Sequence, residues 1–189
     1  MNDKNEIAKR KQIRLENYDY SSRGAYFITI CTEGRRHILS EIVDDNIAET
    51  QFTTREFVGE GFPLPRLSEY GKIVDKWIKN ISVQYPKISV ERYVIMPNHI
   101  HLLLFSTNDG RGDPSPTVTA VMGWFKYQST KEINATYGKV SHKIWQRSFY
   151  DHVIRNQHDY DEIVKYIYEN PLRWHFDDLY AKNTQDIIP

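Results

Sequence analysis

Apolar and polar positions follow a changing rhythm along the chain. Residues 26–31 (YFITIC) are β-branched and aromatic, and Gly24 and Gly34 bracket them, so they predict a strand. From Ser68 onward the pattern becomes helical: Ile73, Val74, Trp77, Ile78 and Ile81 recur on one face, with Ser68 as N-cap and Pro86 beyond the end. Two strand-like runs follow at 90–96 and 99–105, and the Pro97-Asn98 turn between them predicts an antiparallel hairpin. Val118, Val121, Met122, Phe125 and Ile133 then form the apolar stripe of a helix over 117–137, with Gly138 as its stop. A short strand-like piece, 143–146, precedes a last helix over 156–170 that Pro171 ends.

Strand, helix, hairpin, helix, strand and helix in that order predict an α+β fold. The expected form is a ferredoxin-like antiparallel sheet with helices packed mainly on one face. A polar N-terminal arm (1–22), a single folded domain (23–175) and a C-terminal tail (176–189) are the expected divisions. Two stretches interrupt the domain: an acidic insertion at 41–66, and a Gly/Pro/Ser/Asp linker at 108–116.

Composition narrows the function. The chain has 189 residues, and 25 Lys+Arg balance 25 Asp+Glu. A single cysteine excludes a disulfide framework and a Cys-rich zinc site. No apolar run reaches the ~20 residues of a membrane span, and the charged N-terminal stretch has no apolar core like that of a signal peptide. The expected location is cytoplasmic, with no membrane partner. Neutrality speaks against broad attraction to nucleic acid, but the charge is uneven. Between Arg111 and Arg155, seven basic residues face only Asp113, Glu132 and Asp151, whereas 41–69 holds seven carboxylates against Arg55 and Arg66.

Two features carry chemistry. His99 and His101 are two apart on a strand, so both imidazoles leave the same sheet face and can meet one metal ion. Local hydrogen bonding is the other reading of such a pair. Two imidazoles plus an oxygen donor leave coordination positions open, which suits Mg²⁺ or Mn²⁺ acting on a phosphate. On the last helix, Tyr166 and Asn170 are i and i+4 and share a face. Tyrosine-rich helices often serve packing alone, but a tyrosine beside a metal site is also a potential nucleophile toward a phosphodiester.

Taken with their order and spacing, the segments 93–101 (YVIMPNHIH), 110–116 (GRGDPSP), 145–155 (WQRSFYDHVIR) and 166–171 (YIYENP) resemble the HUH single-tyrosine transposases. The likeness is greatest to the REP-associated tyrosine transposases of the IS200-like family, and it runs from Tyr26 to Trp174. The resemblance implies that His99 and His101 bind the divalent metal, that Asn170 completes the site, and that Tyr166 is the nucleophile. It also implies cleavage and rejoining of single-stranded DNA, at hairpin or palindromic repeats, through a 5′-phosphotyrosine intermediate, by a monomer or a homodimer. Arg111, Lys126, Lys143, Arg147 and Arg155, with Trp145 as a stacking platform, are the expected DNA contacts. The N-terminal Lys9, Arg10, Lys11 and Arg14 could add to them. Two alternatives make different predictions. A catalytically silent nucleic-acid-binding domain binds DNA without forming an adduct. A metal-dependent phosphohydrolase gives product without a covalent intermediate.

Overall fold

Side chains of β1 (Gly24–Cys31) alternate between two buried faces: Tyr26, Ile28 and Ile30 on one, Ala25, Phe27 and Thr29 on the other. This is why the strand reads as a nearly continuous apolar run. The computed structural model describes residues 22–43, 65–107, 116–137 and 142–180. Most of the N-terminal arm with its basic residues, the centre of the acidic insertion, the linker with Arg111, the stop at Gly138 and the end of the tail lie outside the described residues.

The hairpin strands are β4 (Ile88–Ile95) and β5 (His99–Ser106), and the far edge is β6 (Tyr150–Ile154). The sheet order is β4-β5-β1-β6 and every neighbouring pair is antiparallel. Together with the helices between β1 and β4 and between β5 and β6, this is the ferredoxin-like path. The fourth strand is therefore Tyr150–Ile154 rather than 143–146. The earlier segment makes only one bridge, Trp145 to Thr32. Asp151 hides the strand character of β6, because a carboxylate occupies a buried position of the strand. Two short strands, β2 (Ser40–Ile42) and β3 (Pro65–Leu67), pair antiparallel at the two ends of the acidic insertion.

Helix α1 (Glu69–Lys79) starts where Ser68 accepts a hydrogen bond from the Gly71 amide at 3.0 Å. Asn80 separates it from the short α2 (Ile81–Gln84). Helix α3 (Val118–Tyr137) packs beside α1, and Glu132 accepts from both Trp77 Nε1 (2.7 Å) and Lys76 Nζ (2.8 Å). Ile73, Val74 and Ile78 of α1 and Val121, Met122 and Phe125 of α3 meet Ile28, Ile30, Ile100 and Leu102 in the main core. Each such side chain, fully buried, contributes roughly 1.5–3 kcal/mol. Helix α4 (Gln157–Glu169), capped by Asn156, covers the other face, where Ile163 and Ile167 pack on Ala25, Phe27 and Leu103. Among the described residues α1, α2 and α3 thus share one face, and α4 lies on the face that carries the histidines.

Candidate active site

Alternation along β5 sends Ile100, Leu102 and Leu104 into the main core and His99 and His101 to the α4 side. Register then fixes their neighbours on β1, Cys31 opposite His99 and Thr29 opposite His101. Both imidazoles are buried, and their Nε2 atoms approach to 3.0 Å. The two outer nitrogens are held from behind. His99 Nδ1 lies 2.8 Å from Asn98 Oδ1, and His101 Nδ1 lies 2.8 Å from Thr29 Oγ1. A carbonyl oxygen only accepts, so His99 Nδ1 carries the hydrogen and His99 Nε2 of the neutral ring presents a lone pair. When the Thr29 hydroxyl likewise accepts from Nδ1, His101 Nε2 presents a second lone pair to the same point.

Burial keeps both rings neutral. It is the main influence lowering the His99 pKa to about 4, with the Asp177 charge acting in the opposite direction. The His101 pKa also lies well below the usual histidine range, first through burial and then through His99. Neutral imidazoles are the form that ligates metals.

Helix α4 supplies two further groups. Ile163 and Ile167 anchor it to the sheet, and this seats Tyr166 over His101, ring centroids 5.1 Å apart and steeply tilted. Tyr166 also meets Phe27 edge-on at 5.8 Å, while the residue stays 43% exposed and open to a ligand. Burial and then the charge of Asp177 push its pKa up to about 12, against a lowering by the Asn170 side chain. One turn later Asn170 is buried, its Nδ2 donates to Asp177 Oδ2 at 3.0 Å, and its Oδ1 has no hydrogen-bond partner. The fold therefore brings His99, His101, Tyr166 and Asn170 to one place.

Asp177 is the addition. It follows a turn and a 3-10 segment (Trp174–Phe176), and its Oδ2 stands 4.0 Å from His99 Nε2. Ligand atoms of His99, His101 and Asp177 all lie within 4.8 Å of one another. Trp174 packs against the His99 ring at 5.9 Å and holds this segment in place. The signal for Asp177 in the sequence is faint, an acidic pair just beyond an apolar Trp.

These groups fit a hard divalent cation. Two donors ~2.1 Å from a shared ion and at right angles about it stand ~3.0 Å apart, as in octahedral Mg²⁺-type coordination. Imidazole nitrogens with lone pairs converging, a buried amide oxygen lacking a partner and a carboxylate are suitable donors for Mg²⁺ or Mn²⁺.

The expected DNA contacts divide. Lys126, Lys143 and Arg147, with Lys131, line one shallow groove of about 390 Å³ beside α3. Lys126 donates to the carbonyls of Gln146 (2.8 Å) and Arg147 (2.9 Å), and Lys143 pairs with Glu33 at 2.9 Å. Arg155 is exposed between β6 and α4, outside that groove. Trp145 is not a stacking platform. It is 4% exposed, packs in the main core and donates from Nε1 to Ser129 at 2.9 Å. The exposed ring on the groove is Tyr127. His152 of β6 pairs with Asp159 of α4 at 2.9 Å.

Comparison with known proteins adds three findings. The family described as "Transposase IS200 like" matches residues 67–170. An uncharacterized protein of Haemophilus influenzae is 29% identical over 191 residues, covering 93% of this chain and 95% of its own. The structure of a REP-associated tyrosine transposase bound to a REP hairpin superposes with a TM-score of 0.57 at 22% identity, covering 87% of this chain and 76% of that one. At that identity the likeness is one of fold.

Proposed function

Because the chain belongs to the IS200-like transposase family, which matches more than half of its length, we propose that it cuts and rejoins single-stranded DNA with Tyr166 as nucleophile. The observation that carries this reading is the position of Tyr166, over His101 and one helical turn from Asn170, with its ring partly open to solvent.

In the proposed reaction the Tyr166 oxygen attacks a scissile phosphorus. The bond from phosphorus to the 3′ oxygen breaks, the tyrosine loses its proton, and the departing 3′ oxygen takes one up. The 5′ phosphate stays on Tyr166. One phosphodiester is exchanged for another, so the 3′-OH of a second strand can reverse the step without a high-energy cofactor. Since its pKa stands near 12, Tyr166 is a phenol at neutral pH and needs positive charge nearby to react. His99, His101 and Asn170 would hold Mg²⁺ or Mn²⁺, which offsets charge on the phosphate and on the forming phenolate. Phe27 and His101 pack against the Tyr166 ring, and burial of the imidazoles keeps both rings neutral. We propose single-stranded hairpin DNA as the substrate class, in keeping with the hairpin bound by the similar solved structure.

The test is incubation with hairpin oligonucleotides carrying single-stranded flanks, with Mn²⁺, followed by a denaturing gel. A covalent protein–DNA band is expected, absent with chelator and absent in Tyr166→Phe. Cleavage that persists in Tyr166→Phe would instead assign water as nucleophile. Binding without any adduct across a broad oligonucleotide pool would leave a silent binding domain.

A further inference from the structure

The Asp177 side chain is 5% exposed, yet among the described residues its only ionic partner within 4.0 Å is His99. That contact is too long for a hydrogen bond, and the His99 nitrogen facing it offers a lone pair rather than a hydrogen, because Nδ1 is committed to Asn98. A buried carboxylate thus faces two imidazole nitrogens that offer lone pairs, beside an Asn170 amide whose oxygen has no hydrogen-bond partner. Burying such a group without a counter-charge costs several kcal/mol. A cation at their common point removes that cost.

The surroundings of Asp177 are built to hold it there. Its Oδ1 accepts from the Leu179 amide at 2.6 Å, and its Oδ2 accepts from Asn170 Nδ2 at 3.0 Å. Asn98 ties the same segment to the histidine hairpin: its Oδ1 meets His99, and its Nδ2 donates to the Leu179 carbonyl at 2.8 Å. The bond from Asn170 Nδ2 also decides which way that amide points. With nitrogen turned to the carboxylate, the oxygen is the other branch of the same amide, buried and without a hydrogen-bond partner.

We propose that Asp177 binds the same ion as His99, His101 and Asn170 and aims the Asn170 carbonyl oxygen at it. The metal site of this chain is then completed by a segment beyond residues 67–170, outside the part the family match covers. The proposal rests on the metal-dependent reading above and deepens it. A carboxylate added to two imidazoles and an amide biases the site toward hard cations such as Mn²⁺ and Mg²⁺.

Mn²⁺ binding to the full chain tests this without any DNA, through loss of the free-ion electron paramagnetic resonance signal, with thermal melting in chelator as the folding control. Asp177→Asn keeps the shape and an acceptor toward Leu179 but removes the charge. At least tenfold weaker Mn²⁺ binding is expected, with a metal-free melting temperature no lower than that of the unmodified chain. Mn²⁺ should raise the melting temperature of the unmodified chain more than that of the variant. Asp178→Asn should bind as the unmodified chain does. Asp177→Asn binding Mn²⁺ with unchanged affinity while His99→Ala loses it overturns the Asp177 assignment and leaves the histidine site standing. A metal-free Asp177→Asn that melts well below the unmodified chain also overturns it, since the residue is then structural. If the unmodified chain binds no Mn²⁺, the metal-dependent reading itself fails, and this proposal with it.

Discussion

The hydroxyl of Thr29 sits 2.8 Å behind His101 Nδ1 and is the smallest group on which the site depends. Its hydrogen bond orients the ring and, when the hydroxyl accepts from Nδ1, leaves the lone pair on Nε2. Thr29→Val preserves the β-branched shape that suits a buried strand but leaves Nδ1 without its partner. Removing such a supporting group commonly lowers metal affinity by about 10–100-fold. Mn²⁺ titration of Thr29→Val should show about a tenfold loss, and an unchanged affinity would mean that His101 is oriented by packing against Phe27 alone. The site's residues differed in how visible they were beforehand. His99 and His101 share a face by the two-residue period of a strand, and Tyr166 and Asn170 by the helical turn, but the resemblance of the ordered motifs is what singles out these four. Thr29 reaches His101 only through the pairing of β1 with β5. Asp177 returns to the site through a turn. Neither leaves a periodic trace, because register and turn direction are set by packing far along the chain.

At the scale of elements, the same substitution should act with opposite sign in two helices. Gly71 lies in the first turn of α1, where an added Cβ would stand 2.0 Å from the Leu39 carbonyl oxygen, a backbone atom with no freedom to withdraw. Gly71→Ala must push α1 off the loop that leads into β2, at a cost of about 3 kcal/mol. Gly123 lies within α3, and its Cβ would meet nothing within 4 Å. Gly123→Ala should stabilise by about 0.8–1 kcal/mol through helix propensity alone. Urea denaturation of the two variants measures both, and a Gly71→Ala protein of unaltered stability would contradict the packing of α1 on Leu39. The elements legible beforehand were the long amphipathic or continuously apolar ones: β1, the β4–β5 hairpin, α1, α3 and α4. Strands β2 and β3 are three residues each and flank an acidic stretch, which left too few positions for a period. β6 carries no clear strand pattern because burial is fixed there by the sheet edge and not by apolar character. Trp145 misleads for the converse reason. A tryptophan among cations looks like a base platform, while the Ser129 hydroxyl that receives its N–H lies sixteen residues earlier in the chain.

Across the whole molecule, zero net charge becomes a statement about how DNA should be held. Four cations, Lys126, Lys131, Lys143 and Arg147, line the groove beside α3, with the exposed Tyr127 ring among them. Their capacity to displace counterions is partly committed already. Lys143 must leave Glu33, and Lys126 must exchange backbone carbonyls for phosphates. Each phosphate neutralised on a single strand contributes about −0.7 to the slope of log affinity against log salt, so a groove with four cations sets a limit near −3. Any base stacking on Tyr127 adds affinity with little salt dependence. Fluorescence anisotropy of a single-stranded oligonucleotide over about 50–300 mM KCl should therefore give a slope of about −3 or shallower. Arg147→Ala should reduce its magnitude by about 0.7, and Tyr127→Ala should weaken binding without changing it. A slope twice as steep would place the strand on cations other than these. An Arg147→Ala protein with an unchanged slope would move it off this groove.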